Sequence, residues 1–206
     1  MKTEKLDLAK EDKAYYTART APELIEFDKL PYLAIEGTGE PAGKEFTNKV
    51  GTLYSLAYGV KNQCKKENKD FVVAKLEGLW WVETDKPALE VPREEWKWKL
   101  LIRLPHFVTS ESVATAKEEV LRKKGLDLVK EIEFEKITEA SCVQIMHIGP
   151  YATEPETIAK MKKFMQENNL VENGLHHEIY LSDPTKTAPE KMQTILRQPV
   201  KKEGGK

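Results

Sequence analysis

One arrangement constrains the fold of this sequence more than any single residue: the order strand, helix, strand, strand occurs twice, over residues 31–105 and again over 137–199. In the first pass, residues 31–36 read as a strand closed by the turn Gly37-Thr38-Gly39-Glu40-Pro41. Phe46, Val50, Leu53, Tyr54, Ala57 and Val60 then recur at three- and four-residue steps, which predicts a helix from Phe46 to about Lys61. The run 71–81 is rich in strand formers and broken by Gly78, where a bulge or a close approach is expected. Residues 96–104 give the last strand of the pass, stopped by Pro105. In the second pass, 137–148 contains a strand ended by Gly149-Pro150, and Thr153-Glu154-Pro155-Glu156 reads as a capping box with proline in the first helical turn. Ile158, Met161, Phe164 and Met165 carry the apolar stripe of that helix toward Asn168-Asn169. Residues 176–183 and 192–198 supply the two strands. The final strands echo one another, Ile102-Arg103-Leu104-Pro105 against Leu196-Arg197-Gln198-Pro199.

Between the passes, Thr109, Ser110 or Ser112 can cap a helix carrying Val113, Ala116, Val120 and Leu121, with Lys123 and Lys124 complementing its C-terminal dipole and Gly125 closing it. The expected organisation is one domain over 1–206, with a first module at 31–105, a connector helix and linker at 106–136, and a second module at 137–199. The expected class is α+β, with antiparallel sheets, a helix on one face of each, and the other faces meeting or flanking a central ligand cleft.

The second module carries an acid inside a strand, in His176-His177-Glu178-Ile179-Tyr180-Leu181-Ser182-Asp183-Pro184. Period-two alternation puts Ile179 and Leu181 on one face and His176, Glu178 and Tyr180 on the other. Burying a carboxylate without partners costs several kcal/mol or forces its protonation, so a mid-strand Glu borders a polar cleft, pairs with a base or faces water. Ile179 and Leu181 are assigned to the helix side, which sends Glu178 and Tyr180 toward the cleft. In 76–83 the wholly apolar parity is Leu76, Gly78, Trp80 and Val82, opposite Glu77 and Trp81. A bulge at Gly78 reverses that order, so which tryptophan faces the cleft stays open.

Composition removes several classes of function. Thirty-three basic residues against thirty-four acidic ones leave a net charge of −1, so no global field draws in nucleic acid or an anionic membrane, and neither is expected as a partner. No stretch approaches the ~20 apolar residues of a membrane span. Residues 1–14 are densely charged and lack the apolar run of a signal peptide, while the tail 201–206 reads as a frayed terminus. Cys64 and Cys142 stand far apart and outside metal-ligand spacing, which argues against a disulfide scaffold or structural zinc and fits a reducing cytoplasm. His176 and His177 point opposite ways on a strand, so no shared metal is expected. Gly37-Thr38-Gly39 lacks the third glycine of a dinucleotide fingerprint, and no P-loop or serine-nucleophile signal occurs, so no cofactor is expected. His147 is assigned a backbone partner, Cys142 the role of a small buried hydrophobe, and Arg103 with Arg197 that of paired structural cations.

Taken together, Leu76-Glu77-Gly78-Leu79-Trp80-Trp81, Gly149-Pro150-Tyr151, the 176–184 string and Thr194-Ile195-Leu196-Arg197-Gln198-Pro199-Val200 resemble the stand-alone branch of the GyrI-like small-molecule-binding superfamily. The resemblance implies two strand-helix-strand-strand modules related by a pseudo-twofold axis. In related effector domains of multidrug-sensing activators, an aromatic-lined pocket with a buried Glu receives lipophilic, often cationic ligands, and Glu178 matches that Glu by motif. Some stand-alone members are hydrolases that open the strained cyclopropane of DNA-alkylating natural products related to yatakemycin. No helix-turn-helix is recognisable here, so the activator role does not transfer; the gyrase-inhibitor role belongs to particular members, and nothing here marks a gyrase-binding surface. What the resemblance implies is a lipophilic planar or aromatic small molecule as ligand and a cofactor-independent hydrolysis that detoxifies it. Glu178, Tyr151 and Tyr180 are its candidate catalytic residues, and Trp80, Trp81, Tyr54 and His176 its candidate ligand-binding residues. The alternative is a non-catalytic multidrug-binding or sequestering protein for hydrophobic cations, with Glu178 as counter-ion and the aromatics as cation–π partners.

Overall fold

The computed structural model describes residues 5–41 and 43–204, so the first four residues of the charged N-terminus and the last two of the lysine-rich tail lie outside the described residues. In chain order the elements are α1 (Leu8–Glu11), α2 (Lys13–Tyr16), β1 (Glu23–Phe27), β2 (Leu30–Thr38), α3 (Lys44–Lys66), β3 (Leu76–Trp81), β4 (Lys97–Arg103), α4 (Ser110–Lys124), β5 (Glu133–Ile137), β6 (Ala140–Ile148), α5 (Glu154–Glu167), β7 (Leu170–Glu172), β8 (His176–Tyr180) and β9 (Gln193–Lys202). The class is the α+β arrangement of helices on antiparallel sheet that the sequence predicts. The chain divides into two compact units. The first joins the residues up to Glu11 to Leu30–Ile137, and the second joins Asp12–Lys29 to the chain from Thr138 onward. No helix among the described residues is long and apolar enough to cross a membrane.

In the first unit the strand order is β3-β4-β2-β5, every pair antiparallel. Leu33 and Ile35 of β2 and Trp98, Leu100 and Ile102 of β4 share a core with Leu53, Leu56, Ala57 and Val60 of α3. Phe46, Val50 and Tyr54 pack on that same core, as their spacing predicts. Segment 106–136 is more than a connector: Val113, Ala116 and Val120 of α4 and Val129 and Ile132 complete this core, and β5 pairs with β2. Thr109 caps α4, its Oγ1 accepting from the Ser112 N–H at 3.3 Å while Ser112 Oγ accepts from the Thr109 N–H at 3.2 Å. Gly125 ends the helix in the left-handed region at φ 62°.

Of the run 71–81 only Leu76–Trp81 is a strand; Phe71 is buried and bridges in parallel to Leu6 instead. Gly78 makes no bulge, because β3 pairs with β4 in unbroken register from Leu76↔Ile102 to Trp81↔Lys97. Residues paired across antiparallel strands share a face. Leu76 and Trp80 therefore lie with Ile102 and Trp98 on the α3 side, and Glu77 and Trp81 on the other.

The second unit has the order β1-β6-β9-β8, with β7 pairing the far end of β9. The 137–148 run is split: Glu133–Ile137 belongs to the first unit, and β6 starts in the second at Ala140, whose φ is 54°. One face packs Val143, Ile145, Leu196 and Val200 against Met161 and Met165 of α5. The other face is covered by the 12–29 segment, which sequence patterning did not identify. Tyr15 of α2 is fully buried there, edge-on to Phe27 of β1 at 5.3 Å. Arg197 of β9 lies under both rings, its guanidinium 4.4 Å from the Tyr15 centroid and 3.9 Å from that of Phe27. Its Nη1 donates to Glu139 Oε2 at 3.1 Å, and Glu139 Oε1 lies 2.8 Å from His177 Nδ1. Arg197 Nη2 also donates to Gln144 Oε1 and to the Tyr15 carbonyl, each at 3.0 Å. Arg197 is thus a fully buried structural cation, and Cys142 is a buried small side chain beside it.

Candidate functional site

The helix-facing side of the second unit changes character at one end. Register places His147, Thr194 and Tyr180 side by side across β6, β9 and β8, and Ile145, Leu196 and Glu178 side by side on the next rung. Leu196 and Ile145 lie under α5, so Glu178 and Tyr180 face α5 as well. This reverses the expected parity, in which Ile179 and Leu181 served the helix. Ile179 instead pairs with Ile195, on the same face as the His177↔Arg197 pair, where the rings of Tyr15 and Phe27 lie on Arg197.

Above the polar rung sits the start of α5. Its buried residues are Glu154, Thr157, Met161 and Met165, a continuous stripe at steps of three and four whose first member is an acid. His147 ties the helix start to the sheet. Its Nδ1 lies 2.9 Å from Thr157 Oγ1 and its Nε2 3.2 Å from the Pro150 carbonyl, the backbone partner expected for it. An Nε2–H donating to that carbonyl leaves Nδ1 to pair with the Thr157 hydroxyl. Gly149, at φ 140°, makes the turn that swings Tyr151 over the sheet. The capping box expected at Thr153 is not formed, because the Thr153 hydroxyl donates to the Pro150 carbonyl at 2.9 Å and closes the preceding turn instead.

These elements bring together four of the seven residues singled out from sequence. Tyr180 donates its phenolic proton to Glu178 Oε2 at 2.7 Å. Tyr151 meets Tyr180 edge to face, with centroids 5.8 Å apart and planes at 81°. His176 Nε2 stands 3.6 Å from Glu178 Oε1, outside hydrogen-bond reach. The Glu178 side chain is 14% exposed, whereas Tyr151 keeps 41% of its surface open. The other three belong to the first unit: Trp80 stacks on Phe46 at 6.1 Å and packs on the α3 core with Tyr54, while Trp81 lies on the opposite face of β3.

A fifth residue of this site is Glu154, which the sequence pattern assigns to a cap. It is only 6% exposed, it hydrogen-bonds Thr194, and its Oε1 is buried without a hydrogen-bond partner. Burial, then the charge of Glu178, pushes its carboxyl up to about 9 against the opposing Thr194 hydrogen bond. The helix dipole favours an anion at this position, but only by ~0.3–1 kcal/mol, too little to reverse that sum. Extending the 157, 161, 165 stripe back by one turn is the sequence signal that identifies it. Burial, then the charges of Glu154, Glu178 and Asp183, pushes the Tyr151 phenol up to about 12, so it stays a proton donor at neutral pH. Among the described residues no group of three or more His, Cys, Asp or Glu side chains is placed to hold a metal ion. The arrangement offers one carboxylate held by a phenol, a second carboxyl that retains its proton, and an open aromatic edge.

Comparison with known proteins places this geometry in context. A family model for the GyrI-like small molecule binding domain matches residues 20–201. Among curated proteins the sequence has no match. An uncharacterized conserved protein from Listeria innocua is 40% identical with a TM-score of 0.89, over 96% of this chain and all (100%) of that one. A protein from Listeria innocua described as a hydrolase is 38% identical with a TM-score of 0.87, again over 96% of this chain and 100% of that one. The C-terminal domain of EcmrR, at 13% identity and a TM-score of 0.57 over 88% of this chain and 97% of that domain, shares the fold alone. The chain therefore belongs to the GyrI-like family of small-molecule-binding domains.

Proposed function

We propose that this protein is a cofactor-independent hydrolase of lipophilic planar or aromatic small molecules in the cytoplasm. Its substrates on this reading carry a strained electrophilic ring of the cyclopropane type, and hydrolysis detoxifies them. The observation that carries the reading is the Glu178 carboxylate, largely buried, facing the start of α5 and held at 2.7 Å by the Tyr180 hydroxyl. A carboxylate with one oxygen fixed keeps the other for a water molecule, which it orients and deprotonates for attack on a ring carbon. Tyr151, half-open and edge-on to Tyr180, supplies ring contacts worth ~0.5–1.5 kcal/mol each to a flat ligand. The hydrolase description of the 38%-identical Listeria protein supports the choice of turnover over binding alone.

The test is incubation with a cyclopropane-bearing alkylator followed by mass spectrometry. Wild type should yield the compound plus one water. Glu178→Gln should lose ~10²–10⁴-fold in rate while still binding a planar neutral analogue. Undiminished turnover by the variant refutes the base assignment. No product from wild type, with cations losing more affinity than neutral ligands in Glu178→Gln, replaces it with sequestration of hydrophobic cations.

A further inference from the structure

Hydrolytic opening of a ring needs two proton movements, one off the attacking water and one onto the group that receives the electron pair. Glu178 accounts for the first. The second unit also contains a carboxyl that no role so far explains: Glu154, the first buried residue of α5, set above the rung that carries Thr194 and Tyr180. Acids at helix starts are ordinarily exposed, because the stabilisation they gain there needs no burial. Here the side chain is 6% exposed, a Thr194 hydrogen bond holds it, and Oε1 has no partner although it is removed from water. Leaving a buried carboxyl oxygen unsatisfied costs about 1–3 kcal/mol, a loss that a purely structural residue would not carry when a leucine could fill the same space.

We propose that Glu154 is the proton donor of this site, acting opposite the Glu178 base. This rests on the hydrolase reading above. For a cyclopropane conjugated to a carbonyl, the step balances as follows. The water oxygen bonds to a ring carbon, and Glu178 takes the proton that water releases. The ring C–C bond breaks, and its electron pair passes through the conjugated system to the carbonyl oxygen. Glu154 gives its proton to that oxygen, and solvent exchange afterwards returns the proton from Glu178 to Glu154. The product is the substrate plus one water. A carboxyl to take a proton and a second carboxyl to give one, in one site, is the arrangement such chemistry requires.

Glu178 on β8 and Thr194 on β9 act on Glu154 directly, and Tyr151 before α5 feels its charge; Tyr180 and His176 on β8 and His147 on β6 lie on the same sheet face, and Asp183 beyond β8 adds its charge at Tyr151. Its shift to about 9 sets the expected titration. With a cyclopropyl ketone alkylator as probe, wild-type kcat should fall on an alkaline limb near that value. Glu154→Gln should lower kcat ~10²–10⁴-fold and abolish the limb. Glu154→Asp should keep the limb at reduced rate. Infrared spectra of the unliganded protein at pH 7 should show a protonated carboxyl band that Glu154→Gln removes, a readout independent of turnover and of how well either variant folds around substrate. A Glu154→Gln enzyme within threefold of wild type, or one that keeps the alkaline limb, overturns the donor assignment while leaving Glu178 in place. Loss of turnover in neither Glu154→Gln nor Glu178→Gln, or no product from wild type, removes both.

Discussion

Replacing Glu139 by Gln tests how the second unit is held together. Burial works to raise this carboxyl, but the charges and hydrogen bonds of His177 and Arg197 win and bring it from 4.5 down to about 2. A folded-state value below the unfolded one means that stability is present in full above about pH 4.5 and lost as the pH falls toward 2. A depression of that size amounts to about 3 kcal/mol of stability at pH 7. By pH 3 the same linkage leaves less than half of it. Gln cannot carry the charge, so the variant should unfold ~3 kcal/mol more easily than wild type at pH 7, with the gap more than half closed at pH 3. Urea unfolding at several pH values measures it. Trp80, Trp81, Trp96 and Trp98 all lie in the first unit, so tryptophan fluorescence reports that unit, and hydrogen exchange at β6 and β9 must report the other. A gap under 1 kcal/mol at pH 7, or one that stays constant down to pH 3, refutes the account of Glu139 as a paired buried anion.

Three further outcomes follow from single contacts. Gly37→Ala would place a Cβ 2.1 Å from the ring of buried Trp98, so the ring must shift at a cost of about 1–3 kcal/mol, read as a lower melting temperature and an altered tryptophan emission. Thr109→Ala removes the α4 cap and should cost about 1 kcal/mol in urea unfolding followed by tryptophan fluorescence. Tyr180→Phe takes away the proton donated to Glu178 at 2.7 Å; a hydrogen bond to a charged group is worth about 1.5–3 kcal/mol, so turnover should fall ten- to a hundredfold with the ring contact to Tyr151 kept.

The repeated element order was legible because each helix writes a period of three to four and each strand a period of two, and both survive in the α3 stripe and in β8. Glu178, Tyr180 and Tyr151 were legible as a strand acid with aromatic neighbours. The face they occupy was not. Parity says which side chains go together, but it does not say which side lies under a helix unless every covering layer is known. The rings that lie on Arg197 on the other face, those of Tyr15 and Phe27, come from sequence over a hundred residues away, and β1, which carries Phe27, has a five-residue pattern, Glu-Leu-Ile-Glu-Phe, too short to stand out. Glu154 was hidden for a related reason. An acid near a helix start is the expected residue for the dipole, so its composition signal is the same whether it faces water or the sheet. Only the position of Thr157, Met161 and Met165 along the same stripe separates the two.

The position of the polar rung follows from how helix and sheet end. A helix lies on a sheet only as far as its apolar stripe meets an apolar floor, and here that floor is Val143, Ile145, Leu196 and Val200. One rung further, the floor becomes His147, Thr194 and Tyr180, and Tyr180↔Thr194 is the last pair that β8 makes with β9. The helix stripe changes in step, from Met161 to Thr157 to Glu154. Polar groups placed there are enclosed enough for their protonation to shift, while the half-open ring of Tyr151 keeps the rung within reach of solvent and ligand. Moving Glu154 one turn into the helix would set it over the Leu196 floor, where no Thr194 could bond it and no ligand could touch it. The polar rung at the sheet's end is therefore a consequence of the packing: there the helix-facing side keeps the Glu154 carboxyl dry beside the half-open ring of Tyr151.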